Sequence, residues 1–286
     1  MNKLEQARDI VLNYDYPEDE LANCLEELTD CDKISDGVCM VPLEDITPEK
    51  LSKSLLHYIE FRGNTLEEAK IPMGSSKFYG VPHLPKGVEW PKGYYFYAQL
   101  NFSEIKPYDV EDLLPDSGIL YLFYEADSYT CKAIYFDGPI GELTIPDYPE
   151  SINQKTDKYY LDEYKNNPEI LKFQSEFGFY FLNESTTLNN LLDPVMEKIT
   201  EVTDISVVNI EGGGPGSKIF GMAYYYQGED EYYEEEEEMD YSEYDAYENI
   251  LLLDNDFAEG NIHFWVPKED LKQRNFDNMK ITYSGT

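Results

Sequence analysis

Apolar residues near the start of the chain recur every three or four positions, which is the spacing of one face of an α-helix. Leu4, Ala7 and Val11 form the first of these faces. A second face follows Pro17 and comprises Leu21, Cys24, Leu25 and Leu28. The pattern predicts that the N-terminal segment, residues 1–70, is helical.

Thr47-Pro48 is a start signal for a further helix in this segment. The Thr hydroxyl can cap free backbone N–H groups, and Pro at the first helical position loses no hydrogen bond. The same predicted helix carries His57, and its predicted buried stripe comprises Leu51, Leu55, Tyr58 and Ile59.

From Lys77 onward the pattern changes to short runs rich in Tyr, Phe, Ile and Leu, separated by Gly and Pro. Such runs have the length and composition of strands. The predicted strands are residues 94–100, 118–124, 131–136, 202–210, 218–226, 250–253, 261–266 and 279–283. Helical patterns return over residues 168–174 and from Asp193-Pro194, where Asp can cap a helix that Pro opens.

The strand-like runs occur twice in the same order, which predicts a degenerate internal duplication. The paired segments are 76–81 with 217–222, 98–102 with 253–257, 118–124 with 260–266, and 133–138 with 280–285. The predicted repeats are therefore residues 76–138 and 217–286. Two such units would pair most simply into one β-core with helices packed outside. We predict a single α+β domain over residues 1–286, with a β-rich core, an N-terminal helical segment and peripheral helices.

The charge balance narrows the class of partner. The chain has 58 acidic and 22 basic residues, and its net charge is −36. A field of this sign repels nucleic acid and anionic lipid, and it attracts basic proteins or divalent cations. The acidic residues are densest over residues 229–248, a block that includes Glu234, Glu235, Glu236, Glu237 and Glu238. Because like charges repel, we predict that this block is an extended, mobile surface loop that contacts a basic partner and associates weakly with divalent cations.

The sequence contains no apolar run near the ~20 residues that a membrane-spanning helix needs. The N-terminus also lacks the basic and apolar segments of a signal peptide. The cysteines Cys24, Cys31, Cys39 and Cys131 form no CxxC pair, and in a reducing cytosol they are expected to be small buried apolar residues. We therefore predict a cytoplasmic protein with no membrane contact, and we favour a monomer.

Two motif-like stretches fall short of the chemistry they suggest. Residues 212–218 are glycine-rich before a lysine, but Ser217 precedes Lys218 and a strand-like run follows, so a phosphate-binding loop is not predicted. Residues 254–256 begin like a calcium loop, but Trp265 stands where the bidentate Glu would be needed. We predict no cofactor, no defined metal site and no catalytic residue set.

The best candidate for ligand binding is a cluster of polar and aromatic residues. His83 lies between two prolines in a rigid loop, and Trp90 and Gln99 follow it. Together with Gln227 from the second repeat, these residues could bind a flat or peptide-like ligand through apolar contact and hydrogen bonds. The structural alternative is that Trp90 closes the end of the β-core, that Gln99 bridges backbone groups between the repeats, and that His83 is a hydrogen-bonded loop residue.

The chain resembles the YwqG-like family of bacterial domains of unknown function over roughly residues 70–286. The segments that carry the resemblance are 80–85, Gly87, Trp90-Pro91, 98–102, 114–124, 219–221, Gln227-Gly228, 251–253, Gly260, 268–271 and Phe276-Asp277. Two departures are Asp254, where the family usually has Gln, and the long acidic block. The resemblance implies an α+β fold and a cytoplasmic bacterial setting, and it is consistent with an immunity-like or regulatory binding role.

The leading functional hypothesis is a non-enzymatic protein-binding or regulatory role directed at a basic partner. The alternative is a small-ligand-binding protein or enzyme that uses a pocket between the repeats, with His83, Trp90 and Gln99 in its wall.

Overall fold

A computed structural model of the chain describes residues 1–17, 47–125, 130–153, 165–180, 186–210, 217–221, 247–255 and 260–285. The predicted helix over 21–28, the candidate Gln227 and the acidic residues Glu234–Glu238 lie outside these ranges. The last two residues of the predicted acidic loop, Tyr247 and Glu248, lie within a strand.

The described residues form a mixed α and β structure with a strand-rich, curled sheet and few helices. The strands are β1 (Leu55–Thr65), β2 (Lys77–Phe78), β3 (Leu84–Pro85), β4 (Tyr95–Asn101), β5 (Ile119–Glu125), β6 (Thr130–Phe136), β7 (Leu143–Thr144), β8 (Glu169–Tyr180), β9 (Ser206–Ile210), β10 (Lys218–Phe220), β11 (Tyr247–Asn255), β12 (Gly260–Pro267) and β13 (Lys280–Gly285). The helices are α1 (Lys3–Leu12), α2 (Pro48–Ser54), α3 (Phe102–Ile105), α4 (Glu150–Asn153), α5 (Thr186–Thr203) and α6 (Lys268–Lys272).

The order of the strands in the main sheet is β13-β12-β11-β10-β1-β8-β2-β4-β5-β6. These neighbours are antiparallel, whereas β9 adds to β8 in parallel. A parallel neighbour requires a crossover connection, and α5 supplies it between β8 and β9. Strands β3 and β7 form a separate two-stranded ribbon.

The centre of the sheet is the long ladder between β1 and β8, which runs from Leu55 opposite Phe179 to Thr65 opposite Glu169. On each side of this ladder lies a four-strand unit, which begins with a very short strand (β2 or β10) and continues as three antiparallel neighbours. The predicted duplication remains a prediction. In the sequence alignment of the predicted repeats, Gln99 corresponds to Asp254. In the sheet, Lys77 lies opposite Gln99 and Lys218 lies opposite Leu252, so the position equivalent to Gln99 is Leu252.

The sheet curls until its two end strands, β6 and β13, approach each other. The Cys131 thiol of β6 lies 3.8 Å from the carbonyl oxygen of Met279, which immediately precedes β13. An ion pair of 2.9 Å joins Arg274 to Asp137 near the same place. We call this region, between β6 and residues 276–279, the seam.

Apolar side chains from both four-strand units share one core inside the curl, including Phe78, Leu120, Ile219 and Phe264. A second core lies where α1, α2 and α5 pack against the other end of the central ladder, around Leu51, Leu55, Phe177, Phe179 and Leu192. Both cores lie on the same face of this ladder, because Leu55, Ile59 and Phe61 alternate along β1. Tyr58 on the opposite face is also buried, which is why β1 carries buried residues at consecutive positions.

The predicted first helix is confirmed as α1, whose Leu4, Ala7 and Val11 are buried. The predicted start of α2 is also confirmed, because Thr47 caps it and Pro48 is its first residue. The predicted stripe beyond Leu51 is wrong, since α2 ends at Ser54 and Leu55, His57, Tyr58 and Ile59 belong to β1. A strand buried on both faces has apolar residues at most positions, and such a run includes helical spacings by coincidence.

Three further predictions are corrected. Residues 168–174 are not helical, because Glu169–Tyr180 pairs with β1 along its length and this pairing outweighs local propensity. The helix predicted to begin at Asp193-Pro194 begins at Thr186, and Pro194 lies inside it. The strand predicted over 202–210 begins only at Ser206, because Val202 is still helical. The strands predicted over 94–100, 118–124, 131–136, 250–253, 261–266 and 279–283 match β4, β5, β6, β11, β12 and β13 within a few residues.

The capping of α2 gives a first test of this local structure. The Lys50 backbone N–H donates to the Thr47 hydroxyl over 3.3 Å. Removing the hydroxyl in Thr47→Ala leaves that N–H without its cap, and we expect the free energy of unfolding to fall by about 1 kcal/mol. Urea denaturation measures the change. Thr47→Ser keeps the hydroxyl and should unfold like the wild type, so equal losses in the two variants would contradict the capping role.

Candidate functional site

Two amide side chains of β4 bond the loops on either side of β2. The Gln99 side chain is fully buried; its oxygen accepts from the His83 backbone N–H (2.8 Å) and its nitrogen donates to the Ser75 carbonyl (2.6 Å). Asn101 donates in the same way to the Gly74 carbonyl over 2.9 Å. The backbone groups that Gln99 bridges lie on either side of β2 and not in both predicted repeats.

The His83 ring is fully buried and held in a defined tautomer. Its Nδ1 accepts from the Gly74 backbone N–H over 2.9 Å, so the ring proton of neutral His83 lies on Nε2. Among the described residues, Nε2 has no hydrogen-bond partner, and it lies 3.7 Å from Glu68 Oε1. The Tyr121 hydroxyl of β5 donates to the His83 carbonyl over 2.6 Å and also holds this loop in place.

Next to His83 lies a buried lysine, Lys77, at the start of β2. Its ammonium pairs with the Glu68 carboxylate and also donates to the Val81 carbonyl over 2.9 Å. Glu68 lies in a short 3₁₀ turn, its other oxygen accepts from the Val81 backbone N–H (3.1 Å), and its side chain is 26% exposed. The carboxylate is thus the one partly exposed member of an otherwise buried ion pair.

The pKa shifts of Lys77 and Glu68 show how burial and the ion pair affect the charged form of each residue. Burial lowers the pKa of Lys77, and the nearby Glu68 opposes this only in part. Burial alone would raise the pKa of Glu68, but His83, the Lys77 ammonium and the Val81 N–H together hold it below its ordinary value. We attribute the His83 contribution to electrostatics, because 3.7 Å is too long for a hydrogen bond. The pair therefore keeps Glu68 ionised at neutral pH.

Trp90 packs with aromatic residues and does not form part of the polar network. Its indole N–H donates to the Tyr94 carbonyl over 2.8 Å. Its ring meets the rings of Phe96, Phe123 and Tyr148 edge-on, with centroid distances of 6.2, 5.9 and 5.2 Å. The structure therefore brings His83 and Gln99 together and places Trp90 in a neighbouring aromatic cluster. Their predicted role in ligand binding stays a prediction.

A second buried lysine, Lys218, begins β10. Its side chain is almost completely buried, and burial lowers its pKa to about 7. The ammonium lies 5.7 Å from the ring centroid of Tyr58, whose hydroxyl donates to Glu176 over 2.5 Å. Burial also raises the pKa of Glu176, with a further contribution from Glu60.

Both lysines precede the same unusual backbone turn. Tyr79 and Gly80 follow the first with φ angles of 57° and 71°, and Phe220 and Gly221 follow the second with 67° and 74°. Neither lysine nor Glu68 was predicted from the sequence as a site residue. The available signal was the occurrence of Ser-Lys at the start of both repeats, inside runs that are otherwise apolar.

The seam contains a cleft of about 340 Å3, lined by Pro91, Cys131, Lys132, Ala133, Ile134, Phe276, Asp277 and Met279. Burial raises the pKa of the Cys131 thiol to about 11, so the thiol is neutral and a poor nucleophile near pH 7. His83 and Gln99 do not line this cleft.

Within the described ranges, no group of three or more His, Cys, Asp or Glu side chains is placed to hold a metal ion. None of the helices in those ranges is long and apolar enough to cross a membrane.

Residues 76–284 match a family described as a domain of unknown function, DUF1963. Because the match covers more than half of the chain, the chain belongs to this family. The matched range agrees closely with the region of the predicted resemblance, whereas the name YwqG-like stays a prediction. No curated protein matches the chain.

The buried ion pair can be tested by removing one charge and then both. Glu68→Gln leaves the Lys77 ammonium buried without its counter-charge, and we expect the free energy of unfolding to fall by about 3 kcal/mol. The double variant Glu68→Gln/Lys77→Met carries neither charge and should lose less than the single variant. Urea denaturation at neutral pH measures both. The matched control is Glu67→Gln, which removes an exposed carboxylate one residue away. A Glu68→Gln loss no larger than that of the control would show that the pair is not the constraint we describe.

Lys218 predicts a pH dependence of stability. Because its pKa is lowered in the folded state, the unfolded chain binds a proton that the folded chain does not, between pH 7 and its ordinary pKa of 10.5. Its contribution to stability should therefore increase as the pH rises through this range. Lys218→Met should remove that increase, whereas Lys172→Met, which removes an exposed lysine, should keep it. Urea midpoints at several pH values measure the slope, and identical slopes in the wild type and Lys218→Met would refute this assignment.

Proposed function

We propose that this DUF1963 member is a non-enzymatic protein-binding or regulatory protein that recognises a basic partner. The observation that carries the proposal is the charge, with 58 acidic against 22 basic residues and a net charge of −36. Twelve of the twenty residues from 229 to 248 are Asp or Glu, and none is Lys or Arg. A field of this strength and sign accelerates encounter with a basic protein and disfavours acidic ones.

The composition of the acidic block supports contact with a protein more than condensation of small ions. Its five tyrosines are Tyr232, Tyr233, Tyr241, Tyr244 and Tyr247. Tyrosine is enriched at protein interfaces because its ring supplies apolar contact area and its hydroxyl supplies a hydrogen bond. The alternation of Tyr with Glu and Asp therefore suits a basic surface that also carries apolar side chains.

The chemistry of the buried polar residues favours binding over catalysis. The side chains of Gln99 and Asn101 are hydrogen-bonded to backbone groups of loops, and Lys77 is paired with Glu68. The Cys131 thiol is kept neutral by burial. These groups stabilise the fold, and none of them forms a nucleophile–base pair of the kind that covalent catalysis requires.

The cleft at the seam supports a second candidate, a small-ligand-binding protein or an enzyme. Its volume of about 340 Å3 lies at the lower end of the range for ligand pockets. It lies between one strand of the first four-strand unit and the segment that leads into the last strand of the second. Pro91 lines the cleft but its neighbour Trp90 does not, so the wall differs from the one predicted from the sequence.

The proposal can be tested by affinity capture with charge variants of constant length. The first variant changes Glu234, Glu235, Glu236, Glu237 and Glu238 to Gln. The control changes five acidic residues that are exposed elsewhere, namely Glu67, Glu89, Glu142, Glu197 and Glu201, so the two variants have the same net charge. We expect the intact chain and the control to retain a basic partner at physiological salt, and the block variant to bind it at least tenfold more weakly. Capture of no basic protein, or equal retention by the block variant, would refute the proposal.

A further inference from the structure

Three hydrogen-bond donors converge on the carboxylate of Glu68. The Lys77 ammonium pairs with its Oε1 atom, and the Val81 backbone N–H donates to its Oε2 atom over 3.1 Å. The His83 ring presents its Nε2 atom to Oε1 from 3.7 Å. The side chains of Lys77 and His83 are fully buried, so the surrounding protein fixes the positions of their donors. We call these three donors, Lys77 Nζ, the Val81 N–H and His83 Nε2, the anion cradle.

The absence of a side chain on Gly80 makes room for an anion in this cradle. The φ angle of Gly80 is 71°, a left-handed conformation that favours glycine. A Cβ atom on this residue would overlap the Oε2 atom of Glu68 and would lie 3.3 Å from the Lys77 Nζ atom. The carboxylate therefore lies directly against backbone, as ligands do where a glycine permits close approach.

Glu68 leaves one of the three donors without a hydrogen bond. The Nδ1 atom of His83 accepts from the Gly74 N–H over 2.9 Å and lies 3.2 Å from the side-chain nitrogen of Gln99, so the ring proton is on Nε2. This N–H has no hydrogen-bond partner among the described residues, and a buried donor without a partner costs free energy. A carboxylate that is not tethered to the backbone of residue 68 can approach Nε2 more closely and satisfy all three donors.

The Glu68 side chain belongs to an exposed turn at the surface of the protein. The 3₁₀ turn Glu68–Lys70 contains no buried residue and has no side-chain cap. The Glu68 side chain is 26% exposed, so solvent reaches one side of its carboxylate. The ends of the turn are held separately, because the Leu66 N–H donates to the Pro168 carbonyl over 3.0 Å and Ile71 is buried. An outward movement of the turn would therefore open the cradle without unpairing β1 or β2.

We propose that the anion cradle is a binding site for a small carboxylate, and that Glu68 occupies it as an internal ligand that such a carboxylate displaces. A carboxylate matches the cradle because Lys77 and His83 face one oxygen and the Val81 N–H faces the other. Binding depends on the buried Lys77 cation, since the net charge of −36 repels anions elsewhere on the chain. This inference does not rest on the proposed recognition of a basic partner.

The first test removes the internal ligand and supplies acetate in its place. We expect sodium acetate at pH 7 to raise the thermal unfolding midpoint of Glu68→Ala by about 3 °C more than sodium chloride of the same ionic strength does. The chloride comparison is needed because any salt screens the repulsion within an acidic chain. Two controls should respond equally to the two salts: Glu67→Ala, which removes an exposed carboxylate, and Glu68→Ala/Lys77→Met, which lacks the cation of the cradle.

The second test uses the wild-type chain and so does not depend on the folding of a variant. Displacement of Glu68 by acetate releases the turn, and residues 66–71 should then exchange their amide hydrogens about fivefold faster in acetate than in chloride. The effect should saturate as the acetate concentration rises. The segment 77–81 should keep its protection, because the Val81 N–H then donates to acetate. Hydrogen–deuterium exchange followed by mass spectrometry measures both segments, and Lys77→Met should abolish the response to acetate.

Equal midpoints of Glu68→Ala in acetate and chloride would overturn the inference and leave Glu68 and Lys77 as a structural ion pair. An acetate response of the variant with unchanged exchange in the wild type would also overturn it, because Glu68 would then be a permanent occupant. If Glu68→Ala does not fold in either salt, the exchange of residues 66–71 in the wild type decides. None of these outcomes bears on the capture of a basic partner, which tests the proposed function separately.

Discussion

The long antiparallel ladder between β1 and β8 is the constraint on which the rest of the structure depends. It joins the two four-strand units, since β10 adds to the outer edge of β1 and β2 adds to the outer edge of β8. It also joins the two cores, because Ile59 and Phe61 point into the curl while Leu55 and Phe179 meet the helices. Burying both ends of one ladder leaves little freedom in how the units are oriented, and the curl that brings β6 near β13 follows from it.

The two buried lysines beside this ladder differ in how far their charges are desolvated. Lys77 has a carboxylate partner that can still reach solvent, so the charge of Glu68 is only partly desolvated. Lys218 is more deeply desolvated, and its lowered pKa reflects a charge that the interior disfavours. Each lysine is the first residue of a very short strand and lies two residues before a left-handed turn. A long polar side chain at this point can reach carbonyl groups that the turn leaves exposed, as Lys77 does with Val81.

The sequence predicted the elements whose pattern is set locally. Strands β4, β5 and β12 alternate with turns at strand spacing, and Thr47-Pro48 carries its own capping chemistry. It did not predict β1 or β8, because their state is decided by partners more than one hundred residues away. Gln99 was a candidate from the sequence alone, but the backbone groups that it bonds were not predicted, because only the fold brings Ser75 and His83 beside it. Glu68 and Lys77 were missed because only the fold reveals that Lys77 is buried and that Glu68 is its partner. The seam was also missed, because the approach of β6 to β13 depends on the order of strands in space and not on their order in the chain.

The placement of the central ladder also shapes how the chain must fold. Strands β1 and β8 enclose the whole first unit between them, so their pairing closes a very long loop and carries a large entropic cost. Each four-strand unit can form from hairpins of neighbouring strands, whereas the β1–β8 ladder forms later. Folds that depend on such long-range pairing have a high contact order and fold slowly. During that interval the edges of several strands are exposed at once, and such edges are where chains associate wrongly. A net charge of −36 keeps partly folded copies apart while the centre closes. The acidity that we propose attracts a basic partner would then also protect the chain against aggregation.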